Sequence, residues 1–374
     1  MPAGRRLYPE KKMPGHPGRK ANKMKGLFLC DPLSKFTEEA LRAQAHRFAA
    51  FPELELDYVA DTNHMRMENP GEYNLKLEKE GPEGWIKPSP EFMEKIRDAD
   101  ILFTSFCGVT EEMLKAGKNL KLVFMMRSGW ENCNVAAAEK LGIPVCNTPS
   151  RLADPVADLT VAMMICECRG ILRGDRALRA GRWKQTDDYV DSTNAALCSL
   201  RIGLYGFGGI GRAVARRLVN GFGAEVVAYD PFCSDALMLS EGVKPVSLDE
   251  LLATSDMVSL HLRLVESNKG IVNAEFLSKM KPTAILLNLA RAGLVDKDAL
   301  YQALVNKTIR GACLDVFWDE PVPADDPFLK LDNVVLTPHR AGITTDIVPI
   351  TLRLVTQELT RFFAGEPLQF RIKA

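Results

Sequence analysis

A glycine-rich turn between a mostly apolar run and a helical pattern constrains this chain more than any other feature. Residues 200–205 form the run, and Gly206, Gly208 and Gly211 follow it with the spacing G-x-G-x-x-G. The first glycine permits a tight turn, the second lets a ligand approach the backbone, and the third allows close packing of helix on strand. Because a strand precedes the turn and a helix to about Asn220 follows, the motif predicts a dinucleotide site with phosphates held at the helix start.

The residue that ends the next predicted strand bears on the choice of dinucleotide. Asp230 follows the apolar run 224–229, at about the 20-residue distance from the glycines that is typical of the motif. A carboxylate there bonds a ribose 2′-hydroxyl and repels a 2′-phosphate, and residues 231–233 supply no arginine. NAD is therefore favoured over NADP, although Arg263, after the following strand, is expected near the adenosine.

Alternating strand and helix patterns extend on both sides of this turn and predict the fold class. They indicate an α/β protein of two doubly wound, mostly parallel-sheet domains. The first domain is predicted to comprise residues 24–148 and 341–374, because the last helix returns to it, and the nucleotide domain residues 149–340. Residues 1–23, which are basic and proline-rich, are predicted to be a disordered extension.

Two segments call for separate expectations. Residues 61–92 interrupt the alternation with Asn, Glu, Gly and Pro, which indicates an insertion or a functional loop. The sequence does not decide whether this insertion covers a binding cleft or builds an oligomer contact. Residues from Pro155 to about Ala180 show one long helical pattern.

Composition excludes several classes of function. Lys plus Arg and Asp plus Glu are both 48, so no overall field favours nucleic acid or an anionic membrane. No run of about 18 apolar residues occurs that would span a bilayer. Nine cysteines in a chain this long do not indicate a disulfide scaffold, and the pair Cys166 and Cys168 lacks further ligands for a metal. We therefore expect no metal site and a reducing, cytoplasmic setting.

Three residues in the last quarter of the chain closely follow short apolar strands: Arg291, Glu320 and His339. In an open parallel sheet, ligands bind beyond the carboxyl ends of the strands. A guanidinium pairs with a carboxylate in a bidentate manner, and an imidazole, with an ordinary pKa of about 6.5, can deliver a proton. A carboxylate beside the imidazole would favour imidazolium and orient the ring. The set suits reduction of a 2-oxo acid, with acid catalysis typically worth about 10²–10⁴ in rate.

The flanks of these residues closely resemble the D-2-hydroxyacid dehydrogenase family, and the resemblance covers about residues 100–365. Several motifs in the correct order carry it, which makes it highly specific. They are Leu141–Pro149, Gly203–Arg212, Lys281–Asp296, Gly311–Pro321 and Asn333–His339.

This resemblance implies a Rossmann NAD domain, a flavodoxin-like substrate domain discontinuous in sequence, and closure of the two over a cleft. It implies that Arg291 binds the substrate, that Glu320 and His339 form the acid/base pair, and that Asp315 binds the nicotinamide carboxamide. The expected reaction interconverts a 2-oxo acid and the D-2-hydroxy acid with NAD(H). A homodimer with its contact in the helix and arm at 155–183 is also implied.

Residues other than the catalytic ones are also expected to contact the cofactor or the substrate. Cofactor contacts are expected at Gly206, Phe207, Gly208, Gly209, Ile210, Gly211, Asp230, His261, Leu262, Arg263, Leu289, Ala290, Asp315 and His339. Substrate contacts are expected at Cys107, Gly108, Arg127, Ser128, Gly129 and Arg291. His261 is expected to pack at the end of the strand that leads to the adenosine pocket. Asp296 is expected to cap the following helix.

The predicted substrate loops depart from the family pattern. A smaller residue is commoner at Trp130, and Asp is commoner at Asn134. If Arg127 points into the cleft, it would accept a second acidic group or a phosphate on the substrate. The alternative is an ion pair with a local carboxylate such as Glu131.

Two other functions are compatible with the fold. A formate dehydrogenase usually pairs its histidine with glutamine, so Glu320 argues against that activity. An NAD-sensing transcriptional corepressor shares the fold and the catalytic residues, and would need a peptide-binding surface on the first domain. Turnover of 2-oxo acids separates the enzyme from the sensor.

Overall fold

The computed structural model describes residues 23–372 apart from Leu33, residues 68–71 and residues 184–194. The predicted N-terminal extension, residues 1–23, lies outside the described residues except for Lys23. The described chain divides into two compact units. The first unit runs to Asn147 and resumes at Val355, and the second is Thr148–Leu354.

The second unit extends further than the sequence-based boundary after residue 340. Residues 341–354 belong to it, because the backbone N–H of Ala341 donates to the Asp315 carboxylate at 2.8 Å and Arg353 pairs with Asp154 at 3.6 Å. No helix among the described residues has the length and apolar character needed to cross a membrane.

The strands are short. They are β1 Met24–Cys30, β2 Leu54–Ala60, β3 Ile101–Thr104, β4 Leu122–Met125, β5 Val145–Cys146, β6 Arg201–Tyr205, β7 Glu225–Tyr229, β8 Lys244–Pro245, β9 Met257–Leu260, β10 Ile285–Asn288, β11 Gly311–Leu314, β12 Val334–Leu336 and β13 Arg371–Ile372.

The α-helices alternate with most of these strands. They are α1 Glu38–Ala43, α2 Tyr73–Glu80, α3 Pro90–Lys95, α4 Glu111–Ala116, α5 Val135–Lys140, α6 Ala153–Cys168, α7 Ile171–Arg179, α8 Gly209–Arg217, α9 Asp235–Ser240, α10 Leu248–Thr254, α11 Ala274–Ser278, α12 Lys297–Val305 and α13 Ile347–Ala364.

The sheet of the first unit has the order β13-β5-β4-β3-β1-β2 in the described chain. All neighbouring strands are parallel except β13, which pairs antiparallel with β5. Without β13 the order is the flavodoxin-like 2-1-3-4-5, as expected. Successive side chains of a strand point to opposite faces of the sheet. Leu27 and Leu29 of β1 therefore pack in one apolar cluster. Phe28 lies on the other face and stacks with Phe103 and Tyr58.

The sheet of the second unit is parallel throughout, with the order β12-β11-β10-β9-β6-β7-β8. This is the Rossmann order, in which the direction of winding reverses between β6 and β9. Strands such as β10 are buried on both faces, which explains their continuous apolar sequences. The two-domain α/β fold predicted from the sequence is confirmed.

Local sequence explains where several helices begin and end. Asp296 accepts a hydrogen bond from the backbone N–H of Ala299 at 2.9 Å at the start of α12, so its predicted capping role is confirmed. The prediction of a single long helix from Pro155 to about Ala180 is wrong. The helix α6 ends at Cys168, and Gly170, with φ +58°, separates α6 from α7. Glycine adopts that left-handed conformation without steric cost.

Candidate active site

The glycine turn after β6 is packed so tightly that side chains are excluded at two of its positions. Gly206 has φ +99°, and a Cβ atom there would lie 2.8 Å from the carbonyl oxygen of His261. A Cβ on Gly211 would lie 2.3 Å from the carbonyl oxygen of Gly206. At Gly208, by contrast, a Cβ would meet no described atom within 4 Å. The turn is therefore closed toward the sheet and open at the start of α8, where a phosphate would approach.

The other residues of this turn support its shape. Phe207 is buried, Ile210 is half-buried, and a Cβ on Gly209 would lie 2.0 Å from Ser150 Oγ. These contacts fix the backbone from which the helix begins.

Asp230, at the end of β7, holds the turn with its carboxylate. Its Oδ2 accepts from the backbone N–H of Phe207 at 2.7 Å, and its Oδ1 accepts from that of Phe232 at 2.8 Å. A carboxylate has about four lone-pair sites, so both oxygens keep acceptor capacity for ribose hydroxyls. The side chain is half-buried, which leaves part of it accessible to a ligand.

His261 lies at the end of β9, on the other side of the switch point. Its backbone N–H donates to the carbonyl of Tyr205 at 2.8 Å, and burial lowers the pKa of its imidazole to about 4. The ring is therefore neutral near pH 7. Its Nε2 is buried without a hydrogen-bond partner among the described residues, as expected of an atom whose partner is a ligand.

A dinucleotide fits these features. The open position at Gly208, the acceptor capacity of Asp230 and the unpartnered His261 Nε2 surround the switch point of one sheet. Leu262 is half-buried and Arg263 exposed just beyond His261. When bound, the nicotinamide supplies or accepts a hydride.

An imidazole–carboxylate pair lies in the same unit. Nδ1 of His339 is 2.8 Å from Oε2 of Glu320, and both side chains are partly exposed. The other oxygen of Glu320, Oε1, accepts from the backbone N–H of Phe317 at 2.9 Å. Because Nδ1 of His339 is occupied by the Glu320 carboxylate, Nε2 is the ring nitrogen available for proton exchange with a ligand.

Several influences act on the Glu320 carboxyl. Partial burial raises its pKa, but the hydrogen bonds from His339 and from the Phe317 backbone, together with the charges of His339 and Arg291, outweigh that effect. The net result is a pKa below the usual glutamate range. Glu320 is therefore ionised near neutral pH and places a negative charge beside His339 Nδ1.

The backbone at His339 is held in an uncommon conformation by Asp315. His339 has φ +49°, and its N–H donates to the Asp315 carbonyl at 2.8 Å. The Asp315 carboxylate is buried and accepts from Thr337 Oγ1 at 2.5 Å and from the backbone N–H groups of Arg340 and Ala341, each at 2.8 Å. Asp315 thus fixes the turn that presents the imidazole.

Arg291 follows β10 on a turn shaped by Asn288. The Asn288 amide donates to the carbonyl of Arg291 at 2.9 Å and accepts from the N–H of Ala290 at 3.1 Å. The guanidinium is exposed, and its Nη1 donates to the Ala290 carbonyl at 2.8 Å. Leu289, in contrast, is buried in the core. In the sequence, Asn288 is marked only as a single amide at the end of an apolar strand.

The predicted substrate loops lie in the first unit and are only partly accessible. Cys107 and Gly108 are fully buried, so the Cys107 thiol faces the core rather than solvent. Ser128 is exposed and Gly129 half-buried. The Asn132 amide, which sequence reasoning missed, donates to the carbonyls of Ser105 and Cys107 at 3.0 and 2.8 Å and ties the loops together.

Arg127 is not presented to solvent. Its side chain is 8% exposed, its guanidinium lies 4.8 Å from the centre of the Phe106 ring, and Nη2 is 3.8 Å from Oε2 of Glu131. This geometry supports the local ion pair rather than recognition of a second acidic group.

Comparisons with known proteins agree with this geometry. Residues 161–341 match the model of the "D-isomer specific 2-hydroxyacid dehydrogenase, NAD binding domain" family. The chain is 38% identical over 275 residues to a glyoxylate reductase of Korarchaeum cryptofilum, covering 73% of this chain and 82% of that protein. It is also 38% identical over 260 residues to a hydroxypyruvate reductase of Thermotoga maritima, covering 68% and 82%.

A solved structure shows the same fold. The D-lactate dehydrogenase of Lactobacillus jensenii with NAD⁺ superposes with a TM-score of 0.71 over 94% of this chain and 100% of that chain, at 23% identity. The family match and these relatives identify an NAD-dependent dehydrogenase. The chain belongs to the D-isomer-specific 2-hydroxyacid dehydrogenase family.

Proposed function

We propose that this enzyme reduces a small 2-oxo acid to the D-2-hydroxy acid, with Arg291, Glu320 and His339 as its catalytic residues. The observation that carries the proposal is the 2.8 Å contact between His339 Nδ1 and Glu320 Oε2, close enough to Arg291 for the guanidinium charge to act on Glu320. A bound reduced nicotinamide would supply the hydride for C2 of the acid. His339 Nε2 is proposed to deliver the proton to the carbonyl oxygen.

Arg291 is proposed to hold the substrate carboxylate and polarise the carbonyl. Its exposed guanidinium offers the planar donor fork that a carboxylate binds in a bidentate manner. Glu320 is proposed to orient the ring through its contact with Nδ1. In the reverse direction the neutral imidazole accepts the hydroxyl proton.

The proposed substrate class is a small 2-oxo acid without a second acidic group, such as glyoxylate or hydroxypyruvate. Two relatives act, by their names, on these two acids. Arg127, the cation expected to bind a second acidic group, is instead buried beside Phe106 and Glu131, which favours an acid without such a group.

NADH oxidation measured with a panel of 2-oxo acids tests this proposal. The panel contains glyoxylate, hydroxypyruvate, pyruvate, a dicarboxylic acid and a phosphorylated acid, and the matched variants are His339→Asn and Arg291→Lys. We expect glyoxylate or hydroxypyruvate to give the highest kcat/KM, and His339→Asn to lower kcat by about 10²–10⁴ while NADH still binds. Tight NADH binding without turnover of any acid would instead favour an NAD sensor.

We also propose that the enzyme is a homodimer, with the contact at α6 and α7. Large apolar side chains are exposed on and just after α7, namely Ile171 at 47%, Leu178 at 58% and Trp183 at 77%. Exposed apolar patches often mark interaction surfaces. Light scattering should show a dimer for the wild type and a smaller species for Leu178→Glu. A wild-type monomer would contradict the proposal.

The nine cysteines are all free, which supports a reducing, cytoplasmic setting.

A further inference from the structure

In the segment 61–92, which interrupts the predicted alternation, a buried carboxylate joins the described residues to one another. Asp61 directly follows β2 and is 5% exposed. Its Oδ2 accepts from Tyr73 Oη at 2.7 Å, and its Oδ1 accepts from the backbone N–H and the side-chain amide of Asn63, at 3.1 and 2.6 Å. Asn63 Oδ1 in turn accepts from the N–H of Lys87 at 2.7 Å. Both ends of the segment are thereby joined.

The same segment holds the loop at residues 105–109. The N–H of Gly108 donates a long hydrogen bond of 3.4 Å to Tyr73 Oη, so the phenol lies between Asp61 and the loop backbone. A Cβ on Gly108 would lie 2.7 Å from Cγ1 of Ile86 and 3.2 Å from Cδ2 of Leu77. The loop backbone therefore rests directly on buried side chains of the segment, and only a glycine fits there.

A second contact from the segment reaches the neighbouring loop at residues 130–134. Oε1 of Glu83 accepts from the Asn134 side-chain amide and from the backbone N–H of Glu111, both at 2.7 Å. The Asn134 Oδ1 accepts from the N–H of Ala137 and caps α5. Glu83 thus bridges the starts of α4 and α5, the helices that follow the two loops.

These contacts have one feature in common. Those of Tyr73, Ile86 and Glu83 run from the segment to the loops and helix starts at the carboxyl ends of β3 and β4, the edge at which ligands of an open parallel sheet bind. We infer that the described residues of this segment, 61–67 and 72–92, form a clamp that fixes the loops 105–109 and 130–134, with Tyr73 and Glu83 as positioning residues for binding of the acid substrate. The part that concerns substrate rests on the proposed function.

Complementary substitutions at the Glu83–Asn134 contact test the clamp. Asn134→Asp keeps the cap on α5 but places a second carboxylate against Glu83. Glu83→Gln in the same chain restores a donor–acceptor pair with the roles exchanged. We expect Asn134→Asp to raise KM for glyoxylate about three- to tenfold with little change in kcat, and the double variant to recover to within about twofold of wild type.

Tyr73→Phe tests the other contact, because it keeps the ring and removes only the hydroxyl. We expect faster amide hydrogen exchange at residues 105–109, a higher KM and an unchanged Kd for NADH. Glu80→Gln is the matched control, since that carboxylate lies on the same helix but is 61% exposed. It should alter neither exchange nor KM.

The outcomes separate the clamp from the proposed function. Unchanged exchange at residues 105–109 in Tyr73→Phe, or no recovery in the double variant, would overturn the clamp. A wild-type enzyme that turns over no acid would overturn the proposed function. In that case exchange at both loops, measured for wild type, Tyr73→Phe and the Glu83–Asn134 variants, still decides whether the clamp exists.

Discussion

The buried imidazole of His261 makes the stability of the nucleotide-binding unit depend on pH in a defined direction. Burial lowers its pKa from 6.5 to about 4 in the folded protein. Between these values the unfolded chain carries the proton and the folded chain does not. The free energy of unfolding therefore falls as pH falls from about 6.5 to about 4, and above about 6.5 this residue adds no pH dependence.

The magnitude follows from the same two values. At about 1.4 kcal/mol per pH unit, the interval between them corresponds to about 3 kcal/mol of unfolding free energy lost on acidification. That is a large part of the 5–15 kcal/mol, roughly, that typically separates folded from unfolded domains.

Urea unfolding at several pH values between about 7.5 and about 4.5 measures this dependence. The variant His261→Gln removes the titrating group, and His46→Gln, at an exposed position, is the control. We expect wild type and the control to lose about 2–3 kcal/mol more than His261→Gln over this range. Equal pH slopes for wild type and His261→Gln would refute the reasoning.

Three further predictions concern the site itself. Glu320→Gln should lower kcat for reduction about 10–100-fold at neutral pH, because a neutral amide replaces the carboxylate beside His339 Nδ1; an unchanged kcat would contradict this. Gly211→Ala should weaken NADH binding at least about tenfold, measured by NADH fluorescence, because its Cβ would meet the Gly206 carbonyl at 2.3 Å, a conflict of about 1–3 kcal/mol. Asp315→Asn should lower the free energy of unfolding by about 1–3 kcal/mol, measured in urea, because an amide cannot accept all three hydrogen bonds, and wild-type stability would disprove that role.

The positions of many strands could be predicted because parallel strands buried on both faces have continuous apolar sequences. The runs at β6, β10 and β11 needed little tertiary information, and the cap at Asp296 is a local hydrogen bond between near neighbours. The break before α7 was missed because a glycine inside a helical pattern is usually tolerated. Gly170 adopts φ +58°, the left-handed conformation that separates α6 from α7.

The predicted substrate loops show where sequence reasoning stops. The family motif indicated the loops but not which of their atoms face solvent. Cys107 and Arg127 are buried in contacts with residues from another loop. The Asn132 amide binds the carbonyl of Cys107, and the Phe106 ring packs against the Arg127 guanidinium. Asn134, where Asp is commoner in the family, is explained only by the tertiary structure. Its side-chain amide donates to the carboxylate of Glu83, which is distant in sequence.

The sequence by itself determined the class of chemistry. The glycine spacing, the strand-end Asp230 and the order of Arg291, Glu320 and His339 depend on local backbone rules and on the fact that parallel strands end at one edge. Only the tertiary structure decided how these groups are held. The buried Asp315 beneath His339, the low pKa of His261 and the clamp from residues 61–92 arise from burial and contacts between distant segments, which no local pattern records.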